Sequence, residues 1–255
     1  MAKMRPMNLL AFDTSTDAMS IAVQRGLSAA PSTGGTGAAA QVWQHTGAGG
    51  AQASATLIPA IQQLMQQAHL RFDELDAIAF GRGPGSFTGL RTACSVAQGL
   101  AFGAGVPVLP VDTLLALAEE ARLDASMGVP DVVTGRLRVL AVLDARMDEV
   151  YAEYYEFHSG LWTQNKGYSL ISPQNLALDD GWAMAGNAFA AYGDRLPGSN
   201  AIRIHALPTA SAMLRLAPAL LAAGHAVPAD QALPIYIRDK VAKTTQERLR
   251  EKAAA

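Results

Sequence analysis

The stretch GRGPGSFTGLR, residues 81–91, combines four glycines with a proline and two hydroxyl side chains, a composition shared with phosphate-binding loops. A P-loop also needs a lysine followed by Ser or Thr, which reach phosphate and Mg²⁺, and no lysine is present here. The glycine spacing does not match the dinucleotide fingerprint, and Pro84 stands where a nucleophile elbow around Ser86 would need glycine. The stretch therefore predicts a tight strand-to-helix turn capped by Ser86 or Thr88, and an anion at the helix N-terminus stays open.

Acidic residues recur at matching places in two similar segments. LLAFDTSTDAMSIAV (9–23) aligns with VLAVLDARMDEVYAEYY (139–155) when Asp13 is set on Asp144. In each segment an apolar run ends at an aspartate, and alternation of apolar and polar residues resumes a few positions later. This pattern predicts two β-hairpins. A second acidic residue follows four positions after each aspartate, namely Asp17 and Asp148.

Carboxylates at the ends of two such hairpins position Mg²⁺ and nucleotide in actin-like ATPases. One interpretation is therefore an autonomous ATPase or kinase that uses Asp13 and Asp144. The other is that both aspartates simply end strands. The candidate cofactor-binding residues are Asp13, Thr14, Ser15 and Asp144.

Other chemistry has little support in the sequence. The five histidines are scattered without an H-x-x-x-H pair, so no metal site is predicted. The single cysteine, Cys94, lies among small apolar residues, which indicates a buried structural thiol and fits a reducing compartment. We predict no catalytic residue.

Composition limits the classes of partner. Half of the 255 residues are hydrophobic, 16% are charged and the net charge is -2, so a large core is expected and a basic nucleic-acid footprint is missing. If RNA is involved, a partner supplies most phosphate contacts. The N-terminal apolar run is too short for a signal peptide, and no stretch reaches the roughly 20 apolar residues of a membrane span. The prediction is a cytoplasmic protein without membrane contact.

Strands and helices alternate along the chain. The predicted elements are a hairpin (Leu9–Phe12 and Ser20–Gln24), a low-complexity loop (26–40), a helix (Ser54–Ala68), a strand (Leu75–Phe80), a helix ending near Phe102, a strand (Val106–Pro110), a helix (Thr113–Leu123) and a loop (124–136). With the duplicated hairpin, this order predicts a two-lobed, internally duplicated α/β protein with lobes 1–112 and 113–255.

The predicted helix after residue 88 has a stripe of small residues at four-residue spacing. The stripe is Gly89, Ala93, Ala97 and Ala101. Because this helix is apolar nearly all round, it should be buried on more than one face. One face must meet the sheet, and the other meets either the 54–68 helix or another protein.

These motifs, together with PIYIR at 234–238, resemble the bacterial TsaB family over nearly the whole chain. TsaB-type proteins are non-catalytic paralogues of the TsaD/Kae-type proteins of the actin-like (ASKHA) superfamily. The resemblance implies a two-lobed actin-like fold with mixed sheets flanked by helices, and a C-terminal segment that packs back on the first lobe.

The resemblance also implies a role in making threonylcarbamoyladenosine in tRNA. TsaC makes threonylcarbamoyl-AMP, and TsaD, with TsaB and the ATPase TsaE, transfers the threonylcarbamoyl group to the adenosine beside the anticodon. TsaD holds its metal through a histidine pair on the helix that matches 54–68, which this chain lacks. Ala53 stands where many relatives keep one histidine.

The implied partners are TsaD in a heterodimer and TsaE, with tRNA reached only through the complex and a homodimer when TsaD is absent. No cofactor of the chain's own is implied, and ADP or ATP at the TsaD junction stays open. The family pairs through the first two helices of the N-terminal lobe. The predicted partner-facing residues are Leu57, Ile61, Met65, Gly89, Ala93, Ala97 and Ala101.

Overall fold

The computed structural model describes residues 7–26, 40–125 and 136–238. In chain order its strands and α-helices are β1 Leu9–Asp13, β2 Ala18–Arg25, β3 Gln41–Ala48, α1 Ala53–Gln67, β4 Ala77–Gly83, α2 Phe87–Ala104, β5 Val108–Asp112, α3 Thr113–Ala125, β6 Arg136–Arg146, β7 Glu149–His158, β8 Leu161–Gln164, β9 Ser169–Ile171, β10 Ala183–Gly186, α4 Phe189–Tyr192, β11 Arg203–His205 and α5 Ala210–Ala222. None of the helices in these ranges is long and apolar enough to cross a membrane.

The two sheets repeat one topology. The first has the strand order β3-β2-β1-β4-β5 and the second the order β8-β7-β6-β10-β11, with β9 also paired to β7. In each, an antiparallel hairpin (β1 with β2, β6 with β7) is followed by two strands parallel to its first strand. The predicted duplication and the actin-like, two-lobed α/β fold class are therefore confirmed.

Helices α1 and α2 cover one face of the first sheet. Because side chains alternate across a strand, Phe12, Ile21 and Phe80 all point to this face. Helix α1 begins at Ala53 and continues through Pro59 in its first half. Its apolar positions recur every three or four residues, which turns one stripe of the helix toward the sheet.

The opposite face of the first sheet is covered by α5, although α5 comes from the second half of the chain. Its Met213 packs with Leu9 and Leu109. Helix α3 lies between the two sheets, with Leu117 against the second sheet and Ala116 against the core of the first. The division into lobes at residues 112 and 113 stays a prediction, since these helices link both sheets.

Most of the predicted elements are confirmed with shifts of a few residues at their ends. Strand β3 was not predicted, because QVWQHTGA lacks a strong apolar alternation and lies exposed at the sheet edge, and none of the elements after β7 was predicted either. The predicted 124–136 loop is shorter than expected, because α3 continues to Ala125 and β6 begins at Arg136. Residues 27–39 and 126–135 of the two predicted loops lie outside the described residues.

Candidate interaction helices and the cleft between the sheets

The turn that carries GRGPGSFTGLR joins β4 to α2. Gly83 has φ +113°, a left-handed conformation that favours glycine. Ser86 occupies the N-cap position, and its backbone N–H donates to the Ser15 carbonyl at 2.8 Å. Its side chain makes no capping hydrogen bond, so the predicted hydroxyl cap is wrong. Backbone contact with the first hairpin stabilises this helix start instead, and the anion at its tip stays a hypothesis.

Gly89 allows α2 to pack directly on the turn that follows β1. A Cβ atom at this position would lie 1.8 Å from the Thr14 carbonyl oxygen. The Thr14 hydroxyl donates to the Gly89 carbonyl at 2.7 Å across the same contact. The glycine thus serves close packing within the chain.

The seven residues predicted to face a partner are core residues. Leu57, Ile61, Ala93 and Ala97 have no exposed surface, Met65 and Ala101 are at most 3% exposed, and Gly89 is buried. They pack against the chain's own sheet. This corrects the residue assignment: the four-residue stripe faces inward, and a partner on these helices would contact their outer faces.

The outer face of α2 also has small residues, which sequence reasoning missed. Ser95, Gly99 and Gly103 are exposed, and a Cβ atom built on either glycine would meet no atom within 4 Å. Phe102, beside them, is 85% exposed. On α1, Ile58 is 42% exposed. The signal that could have revealed this face is the second run of small residues at the same spacing, offset by two positions from the inner stripe.

The segment 232–238 runs along the flank of α2. The Ala232 carbonyl accepts hydrogen bonds from Gln98 Nε2 at 2.9 Å and from Cys94 Sγ at 3.3 Å. Cys94 is buried, as predicted, and burial raises the pKa of its thiol. The Arg91 guanidinium stacks on Phe87 at 3.9 Å from the ring centroid, and Arg91 Nε donates to the Tyr236 hydroxyl.

The same segment then crosses to the second sheet. The Ile235 N–H donates to the Arg82 carbonyl at 2.7 Å. Arg238 donates to the Ala145 carbonyl at 3.0 Å and pairs with Glu149 at 2.9 Å. Residues 232–238 therefore contact both α2 and the turn between β6 and β7, and the assignment of the C-terminal segment to the first lobe stays a prediction.

A cavity of about 510 Å³ lies between the two hairpin ends. Its walls include residues 15–17, 84–87, 143–147 and 235–238. This volume is within the range of small-molecule pockets. Of the four predicted cofactor-binding residues, Ser15 and Asp144 line the cavity, whereas Asp13 and Thr14 are buried outside its lining.

Asp13 is enclosed by its own turn. Its carboxylate accepts hydrogen bonds from the Ser15 N–H at 2.8 Å and the Ser15 hydroxyl at 2.6 Å, and from the Thr113 hydroxyl at 3.4 Å. Burial raises the pKa of Asp13 to about 6, and these hydrogen bonds oppose part of the rise. Asp13 therefore holds the β1–β2 turn and the start of α3 together.

The carboxylates at the cavity wall are already paired. Asp144 accepts from Arg146 at 3.0 Å and from the Tyr192 hydroxyl at 2.8 Å. Arg146 also reaches Asp17, on the first hairpin, at 2.5 Å. In the described residues no group of three or more His, Cys, Asp or Glu side chains could hold a metal ion. Arg146 thus already pairs with both Asp17 and Asp144, the carboxylates that a Mg²⁺–nucleotide complex would need in this cleft.

Comparison with known proteins identifies the family. The family model described as "TsaD: tRNA N6-adenosine threonylcarbamoyltransferase" matches residues 44–253. The chain is 32% identical to "tRNA threonylcarbamoyladenosine biosynthesis protein TsaB" of Escherichia coli (strain K12), over 92% of this chain and 96% of that protein. It is 34% identical to the Haemophilus influenzae protein of the same name, over 93% and 96%.

A solved structure agrees with these sequence matches. The structure "YeaZ from Pseudomonas aeruginosa" is 34% identical in sequence and superposes with a TM-score of 0.73. The match covers 91% of this chain and 100% of that one. Fold and sequence thus agree over about nine tenths of the chain, and the chain belongs to the TsaB family of the TsaD-related proteins.

Proposed function

We propose that this chain is a non-catalytic scaffold subunit which, with TsaD and TsaE, is required to form threonylcarbamoyladenosine in tRNA. The threonylcarbamoyl group passes from threonylcarbamoyl-AMP to the N6 amine of the adenosine next to the anticodon, in tRNAs that read codons beginning with A. The names of the E. coli and H. influenzae relatives support this pathway. The chain's own contribution is a surface that binds TsaD.

The observation that carries the proposal is the pair of exposed glycines on α2. A glycine inside a helix costs about 0.5–1 kcal/mol relative to alanine. Apart from each glycine's chain neighbours and the backbone of α2 itself, no atom of the described chain lies within 4 Å of a Cβ built on Gly99 or Gly103, so no packing contact there requires a glycine. A glycine is required, however, where the backbone of a second protein approaches the helix closely. A helix of TsaD lying across α2 at Gly99 accounts for both glycines.

Exposed apolar side chains lie on the same two helices. Phe102 is 85% exposed and Ile58, on α1, is 42% exposed. Large apolar side chains around a close helix contact are typical anchors of protein interfaces. We therefore place the TsaD contact on the outer faces of α1 and α2. The same surface serves a homodimer when TsaD is absent, and tRNA is reached only through the complex.

The alternative of an autonomous ATPase or kinase has less support. It needs Asp13 and Asp144 free for a metal–nucleotide complex. Asp13 is 1% exposed and hydrogen-bonded by Ser15, and Asp144 is paired with Arg146. Calorimetry of the isolated chain with Mg-ATP tests this alternative, and micromolar affinity would favour it over the scaffold.

Reconstitution tests the scaffold role directly. TsaC, TsaD and TsaE are combined with tRNA, threonine, bicarbonate and ATP, with and without this chain. Modified adenosine is then measured by nucleoside mass spectrometry. We expect multiple turnover only when the chain is present. Full turnover without it would show that it is not a required subunit.

A substitution at Gly99 tests the interface. Gly99→Leu places a side chain where a partner helix would approach, and we expect TsaD affinity to fall about tenfold or more, since overpacking a close contact costs roughly 1–3 kcal/mol. The unfolding free energy of the isolated chain should not fall and should rise by up to about 1 kcal/mol, because leucine is a better helix former than glycine and the position has no packing neighbour within 4 Å. Both quantities are measured, by calorimetric titration and by urea unfolding.

Two control variants separate binding from folding. Ala219→Leu introduces a leucine side chain at an exposed position of α5, far along the chain from the proposed contact, and should leave both quantities unchanged. Ala97→Leu adds it on the buried face of α2 and should destabilise the isolated chain by about 1–3 kcal/mol. Unchanged TsaD affinity in Gly99→Leu would refute the contact on this face while leaving the pathway role standing.

A further inference from the structure

The turn between β6 and β7 contains a run of residues with left-handed backbone conformations. Arg146, Met147 and Asp148 are consecutive non-glycine residues with φ values of +60°, +54° and +64°. Left-handed conformations are uncommon for such residues and persist only where surrounding contacts hold them. Positive φ at Met147 and Asp148 is what a two-residue type I′ hairpin turn requires, whereas Arg146 precedes the turn at a register shift between β6 and β7.

The Arg146 side chain lies between the two hairpin ends. One guanidinium nitrogen is 3.0 Å from the Asp144 carboxylate, on its own strand. Another is 2.5 Å from the Asp17 carboxylate, on the hairpin of the other sheet. Asp144 is 9% exposed as a side chain, whereas Asp17 is 86% exposed. Arg146 therefore joins a nearly buried carboxylate of one lobe to an open carboxylate of the other.

We propose that Arg146 is a built-in counter-cation of the cleft, which neutralises Asp17 and Asp144 together and holds the two hairpin ends in one arrangement. In actin-like ATPases such aspartates meet a metal–nucleotide complex that bridges the lobes. Here a covalently attached guanidinium occupies that electrostatic role, and it keeps its charge at every physiological pH. The inference concerns the cleft and does not depend on binding of TsaD to α2.

Two neighbouring contacts fit this role. The Tyr192 hydroxyl donates to the same Asp144 carboxylate, and the Asn187 side chain accepts from the Asp144 N–H at 2.9 Å. These two contacts hold Asp144 in place independently of Arg146. Arg238 binds the Ala145 carbonyl next to Arg146 and pairs with Glu149 across the turn. The strained turn is thus supported from both sides.

The test replaces the cation and asks whether a metal ion can take its place. In Arg146→Met, Asp17 and Asp144 lose their shared counter-charge, and we expect Mn²⁺ to bind the isolated chain about tenfold more tightly than it binds the unsubstituted chain. Mn²⁺ binding is followed by electron paramagnetic resonance. Adding Asp17→Asn to Arg146→Met should remove the gain.

Arg195→Met is the matched control. Arg195 pairs with Asp148 of the same turn at 2.5 Å, and both residues belong to the second lobe. This variant has the same net charge as Arg146→Met and also frees a carboxylate, but it leaves the contact between lobes intact. An equal Mn²⁺ affinity in the two variants would overturn the proposal.

Hydrogen exchange provides a second readout. We expect the backbone amides of residues 15–17, Gly85 and Ser86 to exchange faster in Arg146→Met and to regain protection when Mn²⁺ is added, with no change in Arg195→Met. Unchanged exchange in Arg146→Met, or faster exchange that Mn²⁺ does not reverse, would also overturn the proposal. Both variants alter side chains that are about half exposed or more, 67% for Arg146 and 45% for Arg195, so the fold itself should persist.

Discussion

Two stripes of small residues run along α2 at the same four-residue spacing, one on its inner face and one on its outer face. The inner stripe is Gly89, Ala93, Ala97 and Ala101, and the outer stripe is Ser95, Gly99 and Gly103. On the inner face a Cβ at Gly89 would collide with the Thr14 carbonyl, and the alanines are buried against the sheet. On the outer face a Cβ at Gly99 would meet nothing within 4 Å.

The difference between the two faces shows how a small residue should be interpreted. On the inner face the neighbour that requires it is part of the same chain. On the outer face the described chain offers no such neighbour, so the requirement points to another protein. The two stripes share the same spacing and are both made of small residues. Only the distance from each glycine to the surrounding atoms distinguishes the inner stripe from the outer one.

The largest effect is expected on the inner face. Gly89→Ala places a methyl group against the backbone of the β1–β2 turn, which cannot move aside as a flexible side chain would, and we expect a loss of about 3 kcal/mol of unfolding free energy. Urea unfolding measures it, with Gly103→Ala as the control on the outer face. A loss below about 0.5 kcal/mol would mean that the turn adapts and that the inner contact is not tight.

A smaller effect concerns Asp13, which precedes the turn that packs on the inner stripe. Its pKa is about 6 in the folded chain against an ordinary value of 3.8, so between these values the folded state binds more protons than the unfolded state. Stability contributed by this group therefore rises as pH falls from 7 to 5, by about 1 kcal/mol, and is lost as pH rises through 6. The measurement compares unfolding free energies of the unsubstituted chain and Asp13→Asn across this range.

The difference between those two curves isolates Asp13 from the other titrating groups. We expect the unfolding free energy of the unsubstituted chain, minus that of Asp13→Asn, to rise by about 1 kcal/mol as pH falls from 7 to 5. Parallel curves would mean that Asp13 stays ionised throughout, in which case the turn is more open to water than its burial indicates.

The smallest expected effect is on the outer face and has the opposite sign. Gly99→Ala should stabilise the isolated chain by about 0.5–1 kcal/mol, because alanine is the better helix former and the position has room for it. Thermal and urea unfolding of the isolated chain both report it. A destabilisation would show that this face already packs against something within the chain, and the contrast between the two stripes would fail.

Much of the fold could be predicted from local pattern. The apolar runs that end at Asp13 and Asp144 predicted both hairpins, and these hairpins begin two sheets of the same topology. The three-to-four residue spacing of Leu57, Ile61 and Met65 predicted α1. Strand β3 could not be predicted in this way, because an exposed edge strand buries too little apolar surface to leave a periodic signal.

The candidate sites were harder to predict. The stripe through Ala97 was assigned to a partner because an all-round apolar helix leaves its orientation undetermined until the sheet beside it is known. Arg146 was not singled out, since a lone arginine in a hairpin turn is unremarkable by spacing. Its partner Asp17 lies 129 residues earlier in the chain, and no local pattern connects the two.

By itself, the sequence determined most of the elements up to β7 and their duplicated hairpin, because turn residues and hydrophobic periodicity act over a few neighbouring positions, and its motifs carried the resemblance to the family. Tertiary structure alone decided which face of α2 is buried, which of Asp13 and Asp144 reaches the cleft, and that Arg146 spans it. Each of these depends on how two sheets distant in the chain pack against shared helices, and burial and charge pairing are set by that packing.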